Sequence, residues 1–301
     1  MSTDTVRTTV PSATTTRQDQ TPQDPTAGGP TPPVRATPVA HRNGRPATAE
    51  ELAPLAFAGY AHFTAMQVRE GRIRGLDLHL DRLRSASARL FGRALPDDRV
   101  RSHLRAALAA GPADASLTAT MYSPVGEFTA TGNDADPDVL VRVDPPTTGP
   151  TGPLTLDVVE YERVLPEIKH VGEVAKTHYL RRAVARGFDD AAFVDRRGRL
   201  GEATIWNLAF WDGAEVIWPE AEVLGGTTMA VVRRQLDRLD VPQRIREITP
   251  ADLPTLTAAV VMNSWTPGVE VLRIGDVSLP GSPAFMDLLH RAYRAEPPTA
   301  P

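Results

Sequence analysis

The stretch IKHVGEVAKTHYLRRAVARGFDDAAFVDRRGRLGEATIWN, residues 168–207, decides the fold. A short strand-like segment ends in Lys169 and gives way to an amphipathic helix. Gly187 stops that helix, and the chain then turns back as a hairpin about Arg197-Gly198. Strand, helix and hairpin in immediate succession predict a mixed α/β architecture with short connections.

The same pattern continues downstream. NLAFWDGAEVIWP (207–219) reads as a second hairpin turning at Asp212-Gly213, and GGTTMAVVRRQLDRL (225–239) as a helix opening at two threonines that can cap it. ITPADLPTL is a short capped helix, AAVVMNSWT a buried strand and SPAFMDLLHRAYRA a closing helix. Upstream, LTLDVVEYE is a strand, preceded by a Pro/Gly/Thr-rich linker at 146–153. Before the linker, strands are expected at His62–Val68, Arg72–Leu76, Ser116–Tyr122 and Val139–Val143. A helix starts at Asp77 with Leu78, Leu83, Ala86 and Leu90 on one face, and another spans Asp97–Ala110. The organisation expected is a tail over 1–38, a small N-terminal α/β domain over 39–145 and a larger α/β domain over 154–297. The tail is rich in Thr and Pro, lacks Leu, Ile and aromatic residues, and reads as disordered.

Composition excludes several function classes. Among 301 residues, 33 basic against 37 acidic side chains give a net charge of -4, which speaks against a nucleic-acid or anionic-membrane partner. No apolar run is long enough to span a bilayer and no secretory signal is apparent, so a cytoplasmic setting is expected. With no cysteine, thiolate chemistry and Cys-ligated metals are absent. The histidines show no metal-ligand spacing, so no metal is expected. P-loop, nucleophile-elbow and dinucleotide-binding patterns are missing as well. Of the 33 basic residues only two are lysines, Lys169 and Lys176. Arginine replaces lysine wherever a fixed positive charge suffices. It cannot do so where an amine must lose its proton and attack a carbonyl, so a surviving lysine is enriched for chemical need.

Three stretches, LDLHLDRL (76–83), the 168–207 segment and VLGGTTM (223–229), occur in an order and spacing that resembles the class IV (fold type IV) aminotransferases. That family includes branched-chain and D-amino-acid aminotransferases and aminodeoxychorismate lyase. The resemblance spans roughly residues 40–275 and implies pyridoxal 5'-phosphate (PLP) held between two α/β domains in a homodimer. It implies Lys169 as the amine that condenses with the cofactor aldehyde; Lys176 falls within the following helix as a solvated residue or a partner of Glu173. It implies Glu202, with Asn207 five residues on, as the carboxylate keeping the pyridine nitrogen protonated. Arg82 in HLDRL, which alone would be one more arginine on an amphipathic helix, becomes a fork for the phosphate. Thr227 and Thr228 open a helix whose free N–H groups favour an anion, and Ser264 supplies a further hydroxyl. Tyr60, His62 and Thr64 correspond to a substrate-facing strand, with a core or interface role for the aromatic pair as the alternative.

Departures from the family pattern fall around the substrate: Met229 where a basic residue is usual, Ile205 and Trp206 after Glu202, Gly172 and Glu173 where an asparagine is common, and Trp218 before Pro219. The expected activity is transfer of an amino group between an amino acid and a 2-oxo acid through Lys169. A PLP lyase resembling aminodeoxychorismate lyase, and a non-catalytic binding protein that keeps the fold, are the alternatives.

Overall fold

A computed structural model describes residues 39–109, 111–129 and 135–301; the tail expected over 1–38 lies outside the described residues. The first half of the chain runs β1 (Val39–Arg42), β2 (Arg45–Pro46), a single turn α1 (Ala49–Leu52), β3 (Ala61–Arg69), β4 (Arg72–Arg74), α2 (Leu76–Phe91), α3 (Asp97–Ala109), β5 (Ala115–Tyr122) and β6 (Asp138–Asp144). The second half runs β7 (Leu154–Glu160), α4 (Val174–Ala185), β8 (Asp190–Val194), β9 (Leu200–Ala203), β10 (Asn207–Trp211), β11 (Val216–Pro219), α5 (Thr227–Arg238), β12 (Gln243–Arg246), β13 (Ala258–Asn263), β14 (Thr266–Ile274), β15 (Val277–Ser278), α6 (Pro283–Ala295) and β16 (Pro298–Thr299). No helix among the described residues is long and apolar enough to cross a membrane.

The N-terminal strands form an antiparallel sheet in the order β16-β4-β3-β5-β6-β1-β2. Its register is set by β3, whose His62, Thr64, Met66 and Val68 are buried while Phe63, Ala65 and Gln67 are half-buried. The buried face packs on α2 and α3 through Met66, Val68, Leu76, Leu80, Leu83 and Leu104. The strand expected to reach Leu76 stops earlier, because Gly75 takes a left-handed φ of 64° that turns the chain into α2. The buried stripe of α2 accordingly runs through Leu76, Leu80, Leu83 and Ala86, and the Leu78 and Leu90 expected on it are only half-buried.

The second sheet runs β12-β11-β10-β13-β14-β7-β8-β9, with β15 on β14. It curls until β9 meets β10, where Glu202 pairs with Asn207, so six of its strands close into a barrel. Buried Asp190 locks that closure: Thr204 Oγ1 donates to it at 2.6 Å and the Trp206 indole N–H at 2.8 Å. This accounts for the Trp206 departure as a barrel-closing anchor. Barrel residues Leu156, Phe210, Val261 and Val271 are fully buried. On the outside, α5 and α6 cover Trp218, Val232, Val260 and Phe285.

The last residues return to the first sheet. The strand β16 pairs antiparallel with β4 (Pro298 opposite Arg74, Thr299 opposite Ile73). Before it, the Glu296 carboxylate accepts from Arg234, at 2.5 Å, and from Gln235, while the Glu296 carbonyl accepts from Arg74 Nη1 at 2.7 Å. No periodicity in the sequence marks this strand.

Candidate active site

Lys169 lies in the irregular segment between β7 and α4, clamped alongside β3. Its carbonyl accepts from Phe63 N at 2.9 Å, and Val171 N donates to Ala61 O at 2.7 Å. This places the amine against the half-buried face of β3, 4.9 Å from the Phe63 ring centroid. Burial pushes the Lys169 pKa down to about 7, helped by the positive charges of Arg82, Lys176 and Arg163, with Glu202 opposing. A lysine so placed carries a substantial neutral fraction near pH 7, the form that attacks a carbonyl.

Glu202 is held by β9 at the barrel closure and is 5% exposed. Its Oε1 makes no hydrogen bond, though Arg163 Nε stands 3.4 Å away as an ion-pair partner. Arg163 has all three nitrogens engaged: Nε donates to Glu173 Oε1, Nη1 to the Pro166 carbonyl and Nη2 to the Ile168 carbonyl, each at 2.7 Å. One guanidinium therefore touches the carboxylate and fixes the residue just before Lys169. Nothing in the local sequence pattern singles Arg163 out, since it is one arginine among many; only its burial marks it.

Arg82 projects from α2 toward the loop before α5, where Nη2 donates to the Gly225 carbonyl at 2.7 Å. Among the described residues no carboxylate pairs with it. Burial and the charge of Arg163 push its pKa down to about 10, so this side of the site holds a cation awaiting an anion. Beside it, α5 starts at Thr227 with Gly226 as its N-cap. The expected threonine cap is not made, because no side chain caps this helix. Its first N–H groups consequently stay open to an incoming anion. Gly226 is required by close approach, since any Cβ there would collide with Asn207 Oδ1. Asn207 Nδ2 in turn donates to the Leu224 carbonyl at 2.7 Å, holding the 224–226 loop in place. Ser264, in the turn after β13, lines one recess with Thr227, Thr228 and His79.

The three residues of the substrate-facing expectation are not brought to the lysine together. His62 Nε2 meets Ser87 Oγ at 2.9 Å, and Thr64 Oγ1 meets His79 Nδ1 at 2.6 Å, both buried against α2. Strand alternation sends these even-numbered residues to the helix side and Phe63 to the lysine side. Burial lowers His62 to about 4 and His79 to about 3, so both are neutral near pH 7. Tyr60, half exposed, sits before β3 with its hydroxyl on the Leu90 carbonyl at 3.1 Å. Phe63 could have been found from the period-2 pattern of β3, had the helix-facing side been fixed; AHFTAMQV is apolar on both faces, which hid it. Lys176, expected as a solvated residue or a partner of Glu173, is the latter: its Nζ is 3.9 Å from Glu173 Oε2 and its side chain is only 12% exposed.

A desolvated lysine, a buried carboxylate with an unused oxygen and an arginine with no carboxylate partner among the described residues, beside a helix N-terminus without a side-chain cap, offer the groups that a phosphorylated, carbonyl-bearing pyridine needs. These residues fit pyridoxal 5'-phosphate, the cofactor of the class to which the sequence points. The family model for amino-transferase class IV matches residues 61–274, and the chain belongs to that family. The fold agrees with solved structures of low sequence identity. A branched-chain aminotransferase from Thermoproteus uzoniensis, solved with norvaline, is 20% identical with a TM-score of 0.72, covering 85% of this chain and 93% of its own. A T.th. branched-chain amino acid aminotransferase, complexed with N-(5'-phosphopyridoxyl)-L-glutamate, is 18% identical at 0.72, covering 85% and 93%. A putative 4-amino-4-deoxychorismate lyase from Legionella pneumophila is 18% identical at 0.69, covering 79% and 92%. Comparison with curated proteins gives no match.

Proposed function

We propose that the protein is a PLP-dependent aminotransferase in which Lys169 carries the cofactor and moves the substrate proton. The observation that carries this reading is the meeting of the desolvated Lys169 amine with buried Glu202 and with Arg82, which has no carboxylate partner among the described residues. PLP supplies an electron sink for the carbanion formed when a proton leaves the substrate's α-carbon. The chain's own residues do the rest. Arg82, the α5 N-terminus, Thr227, Thr228 and Ser264 hold the phosphate, while Asn207 keeps the loop before α5 in register. Glu202, steadied by Arg163, faces the ring nitrogen. Phe63 excludes water beside the amine, and Lys169 in its neutral form takes the proton. The substrates are an amino acid and a 2-oxo acid.

We further propose a homodimer in a cytoplasmic setting, with the N-terminal domain (39–145) and C-terminal domain (154–297) flanking the cofactor. Phe57 is 75% exposed and Phe128 90%, with ring centroids 6.1 Å apart. Val164 (75%) and Val174 (84%) flank the lysine segment on either side in sequence. Large apolar groups left in water in this way favour burial against a second copy.

Borohydride reduction of the PLP-treated protein followed by peptide mass spectrometry is expected to find a pyridoxyl group on Lys169, absent in Lys169→Ala and retained in Lys176→Ala. An adduct on Lys176 alone, or none, refutes the assignment. The likeness to the Legionella lyase gives the second reading, which predicts pyruvate release from an aminodeoxychorismate-type amine without any 2-oxo acid acceptor. Fixation of the cofactor with no spectral response to any amino donor would instead favour a binding protein that keeps the fold.

A further inference from the structure

Lys176 is the other lysine of the chain, and the reading above leaves it without a task. It stands on α4, its side chain is 12% exposed, and its Nζ is 3.9 Å from Glu173 Oε2, an oxygen with no hydrogen-bond partner. Glu173 Oε1 is taken by Arg163, which also contacts Glu202 and the Ile168 carbonyl. Lys176 therefore belongs to the flank that joins Glu202 to the Lys169 segment. It does not belong to the flank of Arg82, Gly225 and the α5 N-terminus. The chemistry of the cofactor gives those flanks different meanings. In PLP the aldehyde carbon and the ring nitrogen lie para to each other. One edge between them carries the phosphate arm on C5, and the other carries the phenolic oxygen on C3. With the aldehyde at Lys169, the nitrogen at Glu202 and the phosphate at Arg82, the C3 oxygen faces the remaining edge.

Resting on the proposed function, we infer that the Lys176 ammonium is the partner of the cofactor's C3 oxygen and the electrostatic control on the proton of the Lys169 nitrogen. Glu173, 3.9 Å away, holds the ammonium ready. The charged and titratable groups that face it are Glu173 on its own helix turn, Arg163 and Lys169 from the preceding segment, Glu202 from β9 and Asp190 from β8. His170 shares Glu173, with its Nε2 3.1 Å from Oε1. Burial lowers the Lys176 pKa while Glu202 works to raise it. A positive charge on this edge stabilises the phenolate and disfavours a second positive charge on the neighbouring nitrogen. Arginine could supply the charge but not the compact, single-point contact that a lone oxygen takes, which explains why lysine persists here in an arginine-rich chain.

The test compares affinities for PLP and for 3-deoxypyridoxal 5'-phosphate, which lacks the C3 oxygen, in the full-length wild type, Lys176→Met and Lys176→Gln. The wild type is expected to prefer PLP by about tenfold, as for one charge-assisted hydrogen bond, and both variants by less than about twofold. In the same variants the pH midpoint of the cofactor's visible absorbance should rise by about one unit, because a like charge near the nitrogen has been removed. The comparison is a ratio within each protein, so a general loosening of the fold does not imitate it. An unchanged preference and midpoint in a folded variant overturns this inference alone. A wild type that binds neither cofactor form overturns it together with the function on which it rests.

Discussion

The two sides of the candidate site are built on opposite electrostatic plans. On the Arg82 side, Arg82 has a backbone carbonyl for company and, among the described residues, no carboxylate, and the first N–H groups of α5 have no side-chain cap. On the Glu202 side, Glu202 already faces Arg163, and Arg163 and Lys176 both lean on Glu173. One side is an uncompensated positive site that gains its counter-charge from the ligand. The other is compensated internally, so a ligand there adjusts a balance already struck. On the proposed reading, cofactor affinity resides mainly on the Arg82 side, and the tuning of its chemistry on the Glu202 side.

This contrast can be broken most directly at Arg82. Arg82→Ala should weaken PLP binding about 100-fold, the loss expected of a charged contact, while unphosphorylated pyridoxal binds within about twofold of the wild type. Equilibrium titration with both ligands decides it, and a parallel loss for both would erase the distinction between the sides. Thr228→Val sharpens the same point on a smaller scale. It removes one hydroxyl and keeps the helix N–H groups, so a roughly five- to tenfold loss of PLP affinity is expected, the value of one hydrogen bond.

A third effect belongs to the ligand-free protein. Lys169 has a pKa of about 7 in the fold, against 10.5 for an unperturbed lysine, so between those values the unfolded chain binds one proton more than the native state. Stability should therefore rise with pH across that window, by at most about 1.4 kcal/mol per pH unit. Below about pH 7 both states carry the proton and this contribution to the slope vanishes. Thermal melts at several pH values should show a flatter profile for Lys169→Met. Identical profiles would mean that the amine is not desolvated.

Much of this was legible in the chain because the decisive elements are local. The stop at Gly187 and the hairpins at Arg197-Gly198 and Asp212-Gly213 depend on residues adjacent in sequence, and each appears where expected. Lys169 stood out because arginine cannot do its chemistry. What stayed hidden depends on long-range packing. Which face of β3 meets the lysine is settled by α2, whose Ser87 and His79 claim His62 and Thr64. Arg163 matters through burial against Glu202, far along the chain. Barrel closure at Glu202 and Asn207 needs the curvature of the whole sheet. The strand β16, two residues long and beginning with proline, carries no periodic signal at all.

That last strand bears on the order in which the molecule can be made. The sheet assembled from the earliest-synthesised strands receives its edge from Pro298 and Thr299, which follow the whole of the second sheet in the chain. A nascent polypeptide emerging from the ribosome can lay down β3 to β6, yet β4 keeps an open side until the barrel and α6 have also been translated. The first half is therefore not finished before the second. A fragment cut in the linker at 146–153 would carry a bare strand edge, and bare edges invite pairing with other chains.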